Sequence, residues 1–488
     1  MAAKDFIVAI ELGSSKVTGI AGRKNLDGSI SVLAVVKEES SSFIRKGVVY
    51  NIDKTALCIS SIIKKLTNQL KTEITQVYVG VGGQSIRSVR NVIAKELPLA
   101  TKVTQEMVID LMDANSAMKY SDQEILDVAQ QEYKVDSQYQ TDPVGIQCSH
   151  IEGNFLNILQ RNTFYKNLNK CFETINVNVA EMYISPIALA DSVLTEAEKR
   201  SGCALVDLGA DTTTVSVYSK NILRHLAVIP LGSNNITKDI ASLQMEEADA
   251  EKMKLKYASA YTENADIDNN LQLPIDSDRN VDLRKFIEIV ESRLEEIIAN
   301  VWYQVPAEYS DKLLGGIILT GGGSNLKNID KAFTNHTHID KIRIAKFVTH
   351  TVTSSNADIN AKNGMMNTIL GLLIKGDRNC AGGEVDPNNL FAQRQEDNIA
   401  ATLGRTDMPR KQGVVPTEAE KRQQEEELRR KEEEARRKKE EEERQERERQ
   451  EEEARRLAQE RKENSPLNKG LKWFKRMTKK LKKKTKKK

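Results

Sequence analysis

Short apolar runs that end in glycine turns divide the first part of the chain into buried strands. Residues 6–13 read FIVAIELG, and the segments KVTGIAGRK and ISVLAVV follow as a second and a third strand. Residues 203–209 read CALVDLG, and TTTVSVYSK and ILRHLAVIPLG follow in the same order. An amphipathic segment comes after each set, so the pattern predicts a duplicated β-β-β-α unit.

The duplication predicts the fold class. Glu11 in the first unit matches Asp207 in the second, and Gly13 matches Gly209; the members of each pair are 196 positions apart. Strands that alternate with helices are typical of an α/β protein. We therefore expect two similar halves that face each other across a cleft.

The glycine turns suggest what the cleft binds. They read ELGSSK from Glu11 and DLGADTT from Asp207. Glycine allows a sharp turn at a strand end, where N–H groups and hydroxyls can point at a phosphate, and the acidic residue suits a hydrated Mg²⁺. One such turn would equally fit an ordinary tight turn, whereas two turns related by duplication favour a phosphate site.

Two further stretches fit the nucleoside part of a nucleotide. Residues 317–326 read IILTGGGSNL, and three glycines allow a flat ring to approach the backbone, where a plain strand-to-helix turn needs only one. Residues 248–258 read ADAEKMKLKYA and put Glu251 and Lys254 three apart on one helix face, where they could reach a sugar or a base edge. A solvated helix face remains the alternative for this pair.

The composition changes beyond about residue 376. Residues 377–416 are rich in Asp, Asn, Gly, Gln and Pro, as in a flexible linker. Residues 417–463 are almost wholly Glu, Arg, Lys and Gln, and their spacing favours i,i+4 ion pairs on an isolated helix. Thr417 and Glu420 form a capping box that would start this helix, and a disordered polyampholyte is the alternative.

The last segment, residues 464–488, combines charge with an apolar stripe. Its final 24 residues carry twelve Lys and Arg and no acidic residue, which leaves a net charge of −9 for the rest of the chain. The apolar residues recur at helical spacing, and the ring of Trp473 lies beside them. This pattern predicts an amphipathic helix that binds an anionic lipid membrane. A lysine run that binds nucleic acid would leave the stripe without a role, so we expect no nucleic-acid partner. The predicted membrane-binding residues are Leu467, Leu471, Trp473, Phe474, Met477 and Leu481.

The rest of the composition argues against a membrane-spanning, secreted, zinc-binding or disulfide-bonded protein. No window approaches eighteen unbroken apolar residues, and the N-terminus lacks the basic region of a signal peptide, so we expect neither a transmembrane span nor a leader. The five cysteines are odd in number, scattered and without a C-x-x-C pair, which argues against zinc or disulfides and suits a reducing cytoplasm.

These motifs, in this order, resemble the actin, Hsp70 and sugar-kinase superfamily over most of residues 5–376. Within it the chain resembles the FtsA family of bacterial cell-division proteins. The likeness rests on Glu11 instead of Asp in the first turn, QVYVGVGGQSI from Gln76, PVGIQ at 143–147, SVLTEAEKRSGCALVDLG at 192–209 and the basic amphipathic C-terminus.

The resemblance implies a domain order. A first actin-like half of two segments would carry a small α+β insertion that serves polymer and partner contacts, and a second half would follow. The implied bounds are 1–83 and 163–195 for the first half, 84–162 for the insertion, 196–376 for the second half, 377–416 and 417–463 for the linkers, and 464–488 for the membrane helix.

The resemblance also implies a site for ATP and Mg²⁺. Glu11 and Asp207 would lie near the metal. The phosphates would contact Gly13, Ser14, Ser15, Lys16, Asp207, Gly209, Thr212 and Thr213. The nucleoside would contact Gly232, Ser233, Asn234, Glu251, Lys254, Gly321, Gly322, Gly323 and Ser324.

The function that follows from the resemblance is assembly at the division septum. Such a protein would polymerise on the cytoplasmic face of the inner membrane, bind the C-terminal peptide of FtsZ together with other division proteins, and tether the FtsZ ring through its terminal helix. One departure is Ala210 and Asp211, where the superfamily commonly has glycine. A carboxylate close to a γ-phosphate is repelled, so the resemblance implies nucleotide binding with weak or no hydrolysis.

Three other functions are compatible with parts of the sequence. A pilus-assembly actin homologue would share the fold, and only the tail and the insertion argue against it. An Hsp70-like chaperone needs a β-rich peptide-binding domain, which residues 377–488 do not resemble. A sugar kinase needs a catalytic carboxylate for a substrate hydroxyl, and no motif suggests one.

Overall fold

The computed structural model describes residues 5–384, and the first half opens the chain. Its long helix begins where the Asn51 side chain accepts a hydrogen bond from the N–H of Lys54 at 2.9 Å, and it ends at Lys71 in a left-handed conformation. The elements are β1 (Ile7–Leu12), β2 (Lys16–Lys24), β3 (Ile30–Glu39), β4 (Ile44–Arg45), β5 (Val48–Val49), α1 (Ile52–Leu70), β6 (Thr72–Ile74) and β7 (Gln76–Val81).

An inserted α+β unit follows β7. One helix packs on an antiparallel sheet, and Val108, Leu111 and Phe155 belong to their small separate core. The elements are β8 (Arg87–Lys102), α2 (Gln105–Ser116), β9 (Gln123–Val135), β10 (Gln138–Gln140) and β11 (Gln147–Arg161).

The chain then returns to the first half before it enters the second. The last helix of this return begins with a capping box, in which Thr195 and Glu198 exchange side-chain and backbone hydrogen bonds. The elements are α3 (Asn162–Ile175), β12 (Asn178–Ile184), α4 (Ser185–Val193) and α5 (Glu196–Ser201).

The second half repeats the opening strand order. Its longest helix, Leu283–Gln304, buries Phe286, Val290 and Leu294 along one face, as expected of an amphipathic helix. The elements are β13 (Cys203–Leu208), β14 (Thr213–Ser219), β15 (Ile222–Ile229), α6 (Ser233–Ala241), α7 (Glu247–Tyr257), β16 (Gln272–Pro274), β17 (Asn280–Asp282), α8 (Leu283–Gln304), α9 (Ala307–Ser310), β18 (Gly316–Thr320), α10 (Ile329–Thr337) and β19 (Ile342–Ile344).

The final described segment crosses back to the first half. It consists of β20 (Val352–Thr353), α11 (Ala357–Asn360), α12 (Asn367–Lys375) and β21 (Ala381–Glu384). The Tyr78 hydroxyl, which is hydrogen-bonded to the Asp377 carboxylate at 2.7 Å, fixes the end of this segment against β7.

Two large sheets carry the duplication. The six-stranded sheet has the order β12-β7-β1-β2-β3-β20, and the nine-stranded sheet has the order β10-β9-β11-β8-β15-β14-β13-β18-β19. Glu11 pairs with Thr18 across β1 and β2, and Asp207 pairs with Thr214 across β13 and β14. The predicted α/β class and the repeat of three antiparallel strands are confirmed.

The insertion is joined to the second half as well as to the first. Although it is an excursion of the first half, its strand β8 pairs with β15 at Arg87 and Ala227. The hydroxyl of Ser88 accepts a hydrogen bond from Leu226 N–H at 2.8 Å, and Arg224 forms an ion pair with Glu132 at 2.9 Å. One sheet therefore runs through the insertion and the second half.

Candidate functional site

The two predicted phosphate turns have the same backbone geometry. Gly13 N–H donates to the carbonyl of Lys16 at 3.0 Å, and Gly209 N–H donates to the carbonyl of Thr212 at 3.0 Å. A side chain on Gly13 would come within 2.6 Å of the Lys16 carbonyl oxygen, and one on Gly209 within 2.7 Å of the Thr212 carbonyl oxygen. Both turns are therefore so tight that only glycine fits at their start.

The first turn presents a serine hydroxyl. Ser14 Oγ accepts a hydrogen bond from Gly47 N–H at 2.8 Å, which leaves its own hydrogen to be donated. Lys16 is exposed and lies 3.9 Å from the Glu39 carboxylate, a contact that solvent weakens. Ser15 is partly exposed beside them.

The two threonines of the second turn differ. Thr213 is fully buried, and its hydroxyl donates to the carbonyl of Leu231 at 2.8 Å. Thr212 is partly exposed. Thr213 therefore ties the turn to the end of β15, and Thr212 is the hydroxyl of this turn that a ligand can reach.

The acidic residues of the two turns lie close enough to interact. Glu11 and Asp207 are both partly buried and both one residue from the end of their strand. Burial and the nearby Asp207 carboxylate raise the pKa of Glu11 to about 8, although Lys37 acts to lower it. Burial raises the pKa of Asp207 to about 6. Two carboxyl groups that resist ionisation together are suited to a divalent cation, which would stabilise both charges.

Asp211 does not stand alone in the second turn. Its Oδ1 accepts a hydrogen bond from the side-chain amide of Asn234 at 2.8 Å. The N–H of Asn234 also donates to the carbonyl of Ala210 at 2.8 Å. The start of α6 therefore holds both the backbone of the turn and the carboxylate that departs from the superfamily pattern.

Glu251 and Lys254 support this same helix. The Lys254 ammonium is buried; it donates to Thr237 Oγ1 at 2.8 Å and to the Ser233 carbonyl at 3.2 Å, and it lies 2.7 Å from the Glu251 carboxylate. The alternative of a solvated face does not apply to Lys254. Glu251 is partly exposed and is the member of the pair that a nucleoside could contact.

Two of the three glycines at 321–323 pack directly against the second turn and the strand that leads into it. A side chain on Gly321, whose φ is +82°, would lie 2.3 Å from Asp207 Oδ1, and one on Gly323 would lie 2.9 Å from Leu208 Cβ. Gly232 is equally close, with 2.4 Å to the Ala210 carbonyl. These glycines and the second turn thus form one continuous surface, with Ser324 buried behind it.

Met365 joins the site although no sequence motif marks it. A side chain on Gly322 would lie 3.7 Å from both Cγ and Sδ of Met365, and Met365 itself is 54% exposed. An exposed thioether beside an exposed glycine suits contact with an aromatic ring. The place of Met365 in the site becomes visible only in the tertiary structure, because Met365 and Gly322 are distant in the chain.

The predicted membrane-binding residues, Leu467 to Leu481, and the charged segment 417–463 lie outside the described residues. Within residues 5–384 no helix is both long and apolar enough to cross a bilayer.

Two family models match the chain. The model described as "Cell division protein FtsA" matches residues 204–367, and the model described as "SHS2 domain inserted in FTSA" matches residues 83–159. The first covers the second phosphate turn and the glycine loop, and the second covers the inserted unit.

Relatives match over longer stretches. The cell division protein FtsA of Porphyromonas gingivalis is 32% identical over 326 residues, which cover 65% of this chain and 68% of the relative. FtsA of Pseudomonas aeruginosa is 30% identical over 66% of this chain and 78% of its own length. FtsA of Escherichia coli is 26% identical over 78% of this chain and 93% of its own length.

Among solved structures, a PilM-PilN type IV pilus biogenesis complex is similar in fold. Its matching chain has a TM-score of 0.53 and 14% identity, and the match covers 76% of this chain and 98% of that one. At this identity the likeness concerns the fold alone. Together with the inserted SHS2 unit it confirms the predicted actin-like fold.

Proposed function

The chain belongs to the FtsA family of cell division proteins, and we propose that it binds Mg·ATP in the cleft and polymerises on the membrane to which it tethers the FtsZ ring. Its fold is actin-like and its family acts in cell division. The observation that carries the nucleotide proposal is the matched backbone geometry of the two duplicated turns, whose acidic residues Glu11 and Asp207 interact electrostatically.

The residues present fit Mg·ATP. Glu11 and Asp207 supply the two carboxylates that Mg²⁺ commonly takes from a protein, and the bound ion would neutralise phosphate charge. The Ser14 hydroxyl and the N–H groups of both turns supply donors for phosphate oxygens. The remaining phosphate contacts are Ser15, Lys16 and Thr212, and the nucleoside contacts are Gly232 to Asn234, Glu251 and Gly321 to Gly323. Lys254 and Ser324, which are buried, support these contacts from behind.

We propose that turnover is slow. Asp211 places a carboxylate in the second phosphate turn, and Asn234 holds that carboxylate through a hydrogen bond of 2.8 Å. A negative charge fixed beside phosphates opposes the further charge that develops during transfer. Tight binding with weak hydrolysis is compatible with a protein whose task is assembly.

The inserted unit is proposed to make polymer contacts. Ile109 and Met112 on α2, together with Tyr139, expose between 44% and 60% of their surface. Head-to-tail contact between unlike surfaces permits open growth of a filament. The domain bounds proposed above, with the insertion at 84–162, assign these side chains to the insertion.

The tail is proposed to be the membrane anchor. Its apolar stripe and twelve basic residues combine buried area with attraction to anionic lipid. Such a chain would act on the cytoplasmic face of the inner membrane at the septum, where the FtsZ C-terminal peptide would be its partner.

One experiment tests the anchoring and the nucleotide together. The full chain and a truncation after Asn464 are sedimented with anionic lipid vesicles, with and without Mg·ATP. We expect the full chain to sediment with the vesicles and the truncated chain to stay in solution. Mg·ATP should increase the bound fraction of the full chain through polymerisation. Equal sedimentation of both chains would contradict the anchor, and a fluorescent-nucleotide titration that shows no binding would contradict the ATP site.

A further inference from the structure

Ser40, the residue directly after β3, holds the first phosphate turn from behind. Its hydroxyl donates to the carbonyl of Gly13 at 2.7 Å, and its N–H donates to the carbonyl of Ser15 at 3.0 Å. The Ser40 side chain has no exposed surface. It therefore supports the turn and does not contact a ligand.

Ser233, which follows the third strand of the second half, makes the equivalent contact. Its hydroxyl and its N–H both donate to the carbonyl of Gly209, at 3.1 and 3.0 Å. Gly13 and Gly209 are matching positions of the duplication. In each half a serine after the third strand thus binds the carbonyl of the glycine that opens the phosphate turn.

The planar peptide group gives these bonds a direction. In a trans peptide the carbonyl and the following N–H point in opposite directions. Because Ser40 draws the Gly13 carbonyl towards itself, the N–H of Ser14 points away from Ser40. By the same geometry the N–H of Ala210 points away from Ser233.

We propose that Ser40 and Ser233 are positioning residues that hold the N–H groups of Ser14 and Ala210 ready for the phosphates. This proposal rests on the proposed binding of Mg·ATP. A turn held in its bound conformation loses less entropy when the ligand arrives, so both serines contribute to affinity by holding the turns. Ser40 is the better probe, since it is fully buried, whereas Ser233 is also a proposed nucleoside contact.

The test compares Ser40→Ala with a matched control, Ser192→Ala. Ser192 is also buried, and its hydroxyl also donates to a backbone carbonyl, that of Leu189 at 2.8 Å, within α4. The full-length variants are titrated calorimetrically with Mg·ATP and with adenosine. We expect Ser40→Ala to weaken Mg·ATP binding about three- to tenfold, as for one lost hydrogen bond, with unchanged adenosine affinity. The Ser192→Ala variant is expected to bind Mg·ATP and adenosine with the same affinity as the wild type.

Three results would overturn the proposal: unchanged Mg·ATP affinity in Ser40→Ala, an equal loss in Ser192→Ala, or an equal loss for adenosine. If the alanine variant does not fold, Ser40→Cys keeps the shape with a weaker donor and must show the same selective loss. A wild-type chain that does not bind Mg·ATP would contradict the proposed function itself, so the two failures are distinguishable.

Discussion

The carboxyl groups of Glu11 and Asp207, 196 positions apart in the chain, interact electrostatically, and burial together with the Asp207 charge raises the pKa of Glu11 to about 8. Each group belongs to one copy of the duplicated unit. Their interaction therefore indicates that the two halves approach each other where a nucleotide would lie, and we expect nucleotide binding to depend on pH.

The first prediction concerns proton release. A metal-bound carboxylate must be ionised, and Glu11, with a pKa of about 8, is largely protonated at pH 7. We expect Mg·ATP binding at pH 7 to release about one proton and the affinity to rise with pH until it levels off above about 8. Calorimetry in buffers of different ionisation enthalpy measures the release, and binding without proton release would contradict the shared metal site.

The second prediction concerns the stability of the ligand-free protein. Because the folded-state pKa of Glu11 lies above its ordinary value of 4.5, the folded protein holds a proton that the unfolded chain loses. The contribution of Glu11 to the free energy of unfolding should therefore fall as pH rises from 4.5 to about 8. Thermal melts of wild type and Glu11→Gln check this, and the variant should show the shallower decline. A steeper decline in the variant would refute the assignment.

The third prediction separates the metal side of the cleft from the nucleoside side. Asp207→Ala removes a metal carboxylate, and Gly322→Asp places a side chain where a ring would approach, so both should abolish binding in a fluorescent-nucleotide titration. Gly322→Ala is the control, because its methyl group would meet Met365 at an ordinary 3.7 Å. Unchanged affinity in both of the first two variants would remove the cleft assignment.

The fourth prediction concerns hydrolysis. Asp211→Gly should raise the rate of phosphate release or leave it unchanged, because it removes the carboxylate that Asn234 holds in the second turn. Asp211→Asn keeps the shape without the charge and serves as the control. A large fall in both variants would instead identify this carboxylate as catalytic.

The fifth prediction concerns assembly. Deleting residues 84–162 is expected to stop filament formation, but it would also strip β8 from β15 and leave the sheet of the second half with a new edge. Ile109→Asp with Met112→Asp is the cleaner change, because both side chains are exposed on α2.

Electron microscopy on lipid monolayers should show no filaments for this pair, with Mg·ATP affinity retained. Leu26→Asp, a fully exposed leucine in the β2–β3 turn, is the matched control and should still polymerise. Filaments that persist in the α2 variant would place the contacts elsewhere.

The sixth prediction concerns the tail. Trp473→Ala with Phe474→Glu keeps most of the positive charge but breaks the apolar stripe, so the full chain should no longer sediment with anionic vesicles. Arg476→Gln makes a comparable change in charge on the opposite side and should still bind. A tail that binds nucleic acid would retain its polyanion and its steep salt dependence in both variants.

The support of the site was less predictable than its turns. The run of serines at 40–42 and the serine at 233 both follow a third strand. A comparison of the two repeats could therefore have predicted Ser40, although the phosphate motifs do not include it. Met365 had no such signal. Its place beside Gly322 depends on how the chain returns from β19 towards the first half.

The local features of the site could be predicted from the sequence alone. The duplicated strands, the two glycine turns and the acids at 11 and 207 follow from patterns within about ten residues, since a strand period and a turn need only neighbouring positions. Tertiary structure decided the rest: the burial of Lys254, the bond between Asn234 and Asp211, and the sheet shared by Arg87 and Ala227. These join residues from about twenty to 140 positions apart, and such contacts depend on the packing of whole elements, which no local pattern specifies.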